Sequence, residues 1–215
     1  MKLEVAESLF YSWLRHVKGC HVVQTNWKPS PTWTLNNEDK IEKLQRVFVE
    51  HYAQDGNIFG KTKNHSQLLK QAEVDVLGLS LSDDTPNVYA IDAAFHSGGL
   101  GYTKSGNRDN VARVIKKILR TAVGIYGFFD TSEGEIIFAS PKINPADWQE
   151  LEPYENKIGE LFKDNGLNFT VKIIANERFL KEILEPVKAV AKTVKDTSEL
   201  FLRTFQLLKT CEKFS

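Results

Sequence analysis

Cysteine is scarce: the 215 residues hold only Cys20 and Cys211, near opposite ends. Two thiols so placed supply neither a disulfide framework nor a zinc site, so the expectation is a cytoplasmic protein with reduced thiols. Net charge is missing as well, with 28 basic side chains against 28 acidic ones. That excludes a global field drawing the chain to a polyanion and leaves only a local patch to do so. No apolar run approaches the roughly 20 residues that span a bilayer. The opening residues, MKLEVAESLFYSWLRHVKG, carry acids and polar groups throughout, so neither a membrane span nor a signal peptide is expected. Phosphate-cradling motifs are lacking too. The glycine-rich SGGLGYTKSGN over 97–107 has neither GK[ST] nor GxGxxG spacing, and both plain flexibility and gating of a substrate remain readings of it.

What is present is ordinary globular composition, 41% hydrophobic and 26% charged, sufficient to bury a real core in one domain. Val5, Leu9, Trp13 and Val17, with Leu14, predict an apolar helical stripe stopped at Gly19. A short strand from His21 leads into TNWKPSPTWT, where Trp27 and Trp33 flank two prolines. The favoured reading packs both rings between a helix and the sheet; stacking on a nucleic-acid base is the alternative. A helix over EDKIEKLQRVFVEHYA should bury Ile41, Leu44, Val47, Phe48 and Tyr52. Its Glu50 is expected to be a solvated surface acid. The turn-rich segment 55–66 carries Lys61, Lys63 and His65 and reads as a mobile basic loop. Later in the chain TAVGIYGFF (121–129) and EIIFASPK (135–142) predict two further strands. A helix entered at Asn144-Pro145 and broken near Pro153, the strand LNFTVKIIA, a helix capped by Asn176 and bent at Pro186, and a last helix over 197–211 complete the chain. The pattern is α/β, a sheet flanked by helices, in a single domain of three stretches: a helix and Trp loop (1–36), a core (37–142), and a C-terminal strand with helices (143–215).

The stretch that organises this order is QAEVDVLGLSLSDDTPNVYAIDAAFH, residues 71–96, which reads as two strands joined by a polar turn. Each strand carries acid where apolar residues are expected: Glu73 and Asp75 enter the first, and Asp92 interrupts the second. A buried carboxylate is costly without compensation. If Asp92 faces Asp75 across the hairpin, the carboxylates converge at about cross-strand distance, and a cation belongs between them. Oxygen ligands of this kind suit Mg²⁺ or Mn²⁺, with Asp75, Asp92 and Glu73 as the candidate ligands. His96 lies four residues after Asp92, on the same strand face, and is a candidate base or ligand. A structural role is the commoner fate of a lone histidine at a strand end.

Directly after the acids, residues 107–121 form the clearest amphipathic segment, with Val111, Val114, Ile115, Ile118 and Leu119 on one face. Lys104, Arg108, Arg113, Lys116, Lys117 and Arg120 stand against the single acid Asp109. A charge run is usually a solvated face, but in a neutral chain, next to an acidic hairpin, it reads as a surface for backbone phosphate.

At these residues the chain resembles the PD-(D/E)XK nuclease superfamily, which includes restriction enzymes and junction resolvases. AEVDVLGLSLSDDTPNVYAIDAAF is similar to the paired strands of that family, in which an acid on one strand is followed across a hairpin by an acid, any residue and a lysine. On that match Asp75 takes the place of the first acid and Asp92 of the second. The resemblance covers 38 to about 140. It implies a restriction-endonuclease-like mixed central sheet flanked by helices, metal-dependent phosphodiester hydrolysis in DNA, and a supporting helix acid at Glu50. The family's lysine would fall at Ala94. Either activity is lost or the ammonium comes from elsewhere, first from Lys116 or Lys117 and second from Lys104, while Arg108, Arg113 and Arg120 would contact phosphate. A homodimer is plausible because a duplex has two strands. A catalytically inactive member of the same fold, binding nucleic acid or protein, is the alternative.

Overall fold

The structure, a computed structural model, describes residues 5–52, 69–70, 72–81, 87–96, 98–100, 107–195 and 197–211, with the side chains of 107 and 108 excepted. Five strands form one mixed sheet in the order β1-β2-β3-β4-β5. They are β1 (Val22–Trp27), β2 (Val74–Ser80), β3 (Asn87–Ala93), β4 (Glu133–Ser140) and β5 (Asn168–Ala175). β1, β2 and β3 run antiparallel, whereas β3, β4 and β5 run parallel. Parallel neighbours need a crossover. The first is α3 (Asn107–Phe129); the second is the pair α4 (Pro145–Leu151) and α5 (Tyr154–Asp164). The break between α4 and α5 falls at Pro153 as the sequence suggests, and Pro145 occupies the first turn of α4.

Alternation along the strands divides the core in two. One face, with Leu77, Val88, Ala90, Ile136 and Phe138, packs against α3 and α5, and α2 (Glu38–His51) covers α3 from outside. The other, with Val76, Tyr89, Ile91, Ile137 and Ala139, packs against α1 (Val5–His16) and the C-terminal helices. Those are α6 (Asn176–Phe179), a π-helical turn over Leu180–Leu184, α7 (Glu185–Val190) and α8 (Leu200–Cys211). Asn176 does not cap α6; its φ is 54°, and its side-chain oxygen accepts the backbone N–H of Ile143.

Two expectations are corrected. On α1 the buried stripe is Leu9, Phe10, Trp13 and Leu14, while Val5 and Val17 are exposed. A strict four-residue step drifts around the helix, whereas the core follows alternating steps of three and four. More important for the site, TAVGIYGFF is not a strand but the second half of α3, a helix of 23 residues. The sheet lies on one side of this half and α2 on the other, so Ala122, Val123 and Ile125 are all fully buried. A helix buried on both sides loses its amphipathic period, and a short apolar run then looks like a strand.

α2 crosses the outer side of α3 with its start near the end of α3. The amide of Asn36 donates to the carbonyl of Gly127, and Asn37 donates to Asp130 at 2.7 Å. Among the described residues no helix is long and apolar enough to cross a membrane.

Candidate active site

The β2–β3 hairpin pairs Leu77 with Ala90 and Val76 with Ile91. Continuing that register by one residue sets Asp75 opposite Asp92. Leu77 and Ala90 lie on the face covered by α3, and two-residue periodicity puts Asp75 and Asp92 on the same face. The expected convergence of the two acids is therefore present. Asp92 is 3% exposed. Its Oδ2 accepts a 2.6 Å hydrogen bond from the hydroxyl of Thr121, and its Oδ1 lies 3.7 Å from Nζ of Lys117. Oδ2 of Asp75 accepts the backbone N–H of Ala93 at 2.7 Å.

Both acids are held toward their protonated forms. Burial pushes Asp92 up to about 6, opposed by the Lys117 ammonium, assisted by the neighbouring Asp75 charge, and opposed again by the Thr121 hydroxyl and Arg120. Burial likewise raises Asp75, opposed by the Ala93 N–H and Lys117, with Glu73 adding to the rise and Arg120 opposing it. Raised carboxylates that repel one another in a desolvated place are poised to gain from a cation.

Lys117 and Thr121 are four apart on α3 and so share one helix face. The sequence leaves Lys116 and Lys117 equivalent; the structure separates them. Only Lys117 is in range of Asp92. The Lys116 amine is lowered by burial and by the charges of Arg120 and Arg113, which places it in the cationic group rather than at the acids. Arg120 acts on both carboxylates, yet its Nε is buried with no acceptor among the described residues. Arg113 is exposed.

The remaining candidates are dispersed. Glu73 precedes β2 and pairs with Lys28 at 2.9 Å. Glu50 is exposed on α2, as a solvated surface acid should be. His96 is exposed three residues beyond the end of β3. Ala94, at the position of the family's lysine, is 3% exposed. Lys104, Lys61, Lys63, His65 and the side chain of Arg108 lie outside the described residues. Among the described residues no three carboxylate, imidazole or thiolate groups gather closely enough to hold a metal ion between them.

Thr121 carries no distinguishing signal in the sequence, although with Tyr126 it is one of two hydroxyl-bearing residues in TAVGIYGFF and stands one turn from Lys117. Gln45 is a second residue without a sequence signal: on α2 it is fully buried, and neither its Oε1 nor its Nε2 has a partner among the described residues.

Beyond the acids, the face of α3 that carries Lys117 and Thr121 continues to Gly124 and Phe128, at helical spacings of three and four. A Cβ at Gly124 would meet nothing within 4 Å. Phe128 belongs to an aromatic group in which its ring lies 6.2 Å from Trp27 and 6.3 Å from Trp33, and Trp27 lies 5.2 Å from Phe129. Trp27 is brought to this face at a local distortion of β1: Asn26, opposite Asp75 in the register, has φ 51°. Packing was the favoured reading of both tryptophans, and it holds for Trp27, 4% exposed, whereas Trp33 leaves 46% of its surface open.

Comparison of the chain with models of protein families, with curated proteins and with solved structures finds no match.

Proposed function

We propose that the chain is a metal-dependent nuclease hydrolysing phosphodiester bonds in DNA, on a restriction-endonuclease-like fold. The observation that carries the reading is the meeting of Asp75, Asp92 and Lys117 on one face of the sheet, two acids from paired strands with an ammonium 3.7 Å from one of them. That is the charge set the resemblance requires, with the ammonium supplied by a helix in place of Ala94. Position in space, not in sequence, decides what an ammonium can do.

The donors fit a hard divalent cation. Oδ1 of Asp75 has no hydrogen bond among the described residues, and Oδ1 of Asp92 has only the long contact to Lys117. Two carboxylates with water completing the shell are how Mg²⁺ or Mn²⁺ is commonly held near phosphate. Bound there, the ion supplies Lewis-acid polarisation and a water of lowered pKa.

The side chains divide the remaining work. Asp75 and Asp92 hold the charge in place, and Thr121 fixes the rotamer of Asp92 by engaging Oδ2, which leaves Oδ1 on the side of Lys117. Lys117 stabilises negative charge developing on the phosphate. Arg120, whose Nε has no acceptor among the described residues, would donate to a non-bridging oxygen, with Arg113 and Lys116 along the bound strand. Cys20 and Cys211 are both free thiols, which supports a cytoplasmic setting. A homodimer is the assembly that would cut both strands of a duplex.

The test is cleavage of a mixed panel of DNA substrates in Mg²⁺ and Mn²⁺, run beside Asp92→Ala. Cleavage that disappears in the variant is expected; unchanged cleavage contradicts the assignment.

A second reading is favoured by the buried Ala94 and by Glu73, which pairs with Lys28 at the surface and does not join the two acids in a three-ligand group. It is an inactive member of the same fold that binds nucleic acid or protein. It would show DNA binding with steep salt dependence and no hydrolysis in any metal.

A further inference from the structure

We infer that α8 is a membrane-surface helix, whose outer face lies in the headgroup region of a bilayer rich in anionic lipid. This goes beyond the nuclease reading and does not depend on it.

α8 is apolar on two opposite sides. On the side that meets the fold, Leu202 is fully buried and Phe201 and Phe205 are half-buried. On the other side Leu200, Thr204, Leu207, Leu208 and Cys211 recur at helical steps of three and four, which sets them in one row. All five are exposed. Leu207 at 63% and Leu208 at 58% are the two most open large apolar side chains among the described residues. A row of leucines on the outside of a helix marks a surface that is covered in use.

A small rotation of α8 would not bury this row, because the helix is pinned to its neighbours. The buried hydroxyl of Ser8 on α1 accepts the amide of Phe201 at 2.8 Å. Just before the helix, the carboxylate of Glu199 accepts the Ser12 hydroxyl at 2.6 Å and lies 2.8 Å from Nε2 of His16. Further along, the Gln206 amide donates to the carbonyls of Ala191 and Val194, just beyond α7. These bonds fix which side of α8 meets the fold and leave the leucines outward.

Charge identifies the covering surface. The chain as a whole is neutral, but from Pro186 to Cys211 five cations, Lys188, Lys192, Lys195, Arg203 and Lys209, stand against Asp196 and Glu199. Glu199 is turned inward to α1, and α8 itself carries Arg203 and Lys209 with no acid. Leucines bordered by cations match the boundary between acyl chains and anionic headgroups. The long basic side chains reach the phosphates while their stems lie along the apolar surface. A second copy laid against the row would bring Arg203 and Lys209 of both helices together, and like charges so placed repel. Nucleic acid would pair with the cations and leave the leucines in water. Because α8 packs on the sheet face opposite α3, a chain seated on a bilayer in this way keeps Asp75 and Asp92 turned away from it.

The test is sedimentation of the full chain with extruded vesicles, one set of phosphatidylcholine alone and one of equal parts phosphatidylcholine and phosphatidylglycerol. Binding to the mixed vesicles is expected, with affinity for phosphatidylcholine at least 10-fold weaker. Leu207→Ser with Leu208→Ser should lose at least 10-fold on the mixed vesicles, and circular dichroism should match wild type because both side chains are mostly open. Arg203→Gln with Lys209→Gln should lose about 10-fold by removing charge alone. No binding of wild type to the mixed vesicles, or equal binding by wild type and the double-serine variant, overturns the inference. So does a dimer in sedimentation equilibrium without lipid that the double-serine variant dissociates, which would assign the row to a second copy. DNA cleavage, scored separately in Mg²⁺, should be unchanged in the double-serine variant, so the membrane surface and the nuclease reading stand or fall apart from each other.

Discussion

The hydroxyl of Thr121 donates a 2.6 Å hydrogen bond to Oδ2 of Asp92, across the interface between α3 and the sheet. This bond ties the acid on the second hairpin strand to the helix that carries Lys117. It compensates in part for burying a carboxylate, but not fully, since the acid remains raised to about 6.

That residual cost has a pH signature. The folded-state pKa of Asp92 lies above the ordinary value of 3.8, so between about pH 4 and 6 the folded chain binds more protons than the unfolded chain, and stability falls as pH rises through that window. The loss is on the order of 2–3 kcal/mol at neutral pH for a shift of this size, and Asp75 adds to it in the same direction. Asp92→Asn keeps an oxygen for Thr121 and removes the charge. Urea denaturation of the metal-free protein at pH 4.5 and pH 7 should show the variant more stable than wild type at pH 7, with a flatter dependence between the two. Parallel pH profiles for the two proteins would show that Asp92 is not held protonated by its surroundings.

Glu73 and Asp92 are expected to separate in metal binding. Glu73 is 38% exposed at its side chain and already paired with Lys28, and such surface pairs contribute little. Calorimetric titration with Mn²⁺ should give one site in wild type, a similar affinity in Glu73→Gln, and at least a 10-fold loss in Asp92→Asn. A comparable loss in Glu73→Gln would return that residue to the ligand set.

The two helix glycines on α3 should respond oppositely to the same substitution. Gly124→Ala fills empty space in a helix interior and should stabilise by about 0.5–1 kcal/mol. At Gly127 a Cβ would lie 2.7 Å from Cδ1 of Ile41 and 2.8 Å from Cδ2 of Leu35, so Gly127→Ala should lose stability, on the order of 1 kcal/mol from overpacking α2 against α3. Midpoints of urea unfolding compare the pair directly. A loss at Gly124 would mean that the space beside it does not accept a methyl group.

The hairpin was legible because its signal is local. Alternating apolar residues with an acid on each strand set the register, and the register sets Asp75 against Asp92. The cationic helix was legible in its first half, where one side faces solvent and the period survives. Its second half was read as a strand because burial between α2 and the sheet removes the polar face that marks a helix. The choice between Lys116 and Lys117 was out of reach for a related reason. Adjacent residues differ by about 100° around the axis, and only the docking angle of α3 decides which of them meets Asp92. Thr121 and Gln45 give no signal, since an uncharged polar residue within a helix does not reveal whether it turns to the core or finds a partner there. Trp33 is ambiguous in the sequence because packing and stacking use the same ring; in the structure it rests on Trp27 and Phe128 and leaves 46% of its surface open.

The most direct test of the proposed site is single-turnover cleavage of a DNA oligonucleotide in Mn²⁺ by wild type, Lys117→Ala and Lys116→Ala. With Lys117 supplying the ammonium that Ala94 does not, Lys117→Ala should lose at least 100-fold in rate, while Lys116→Ala stays within about 10-fold. Equal rates for wild type and Lys117→Ala, or no cleavage by wild type in any divalent metal, would contradict it.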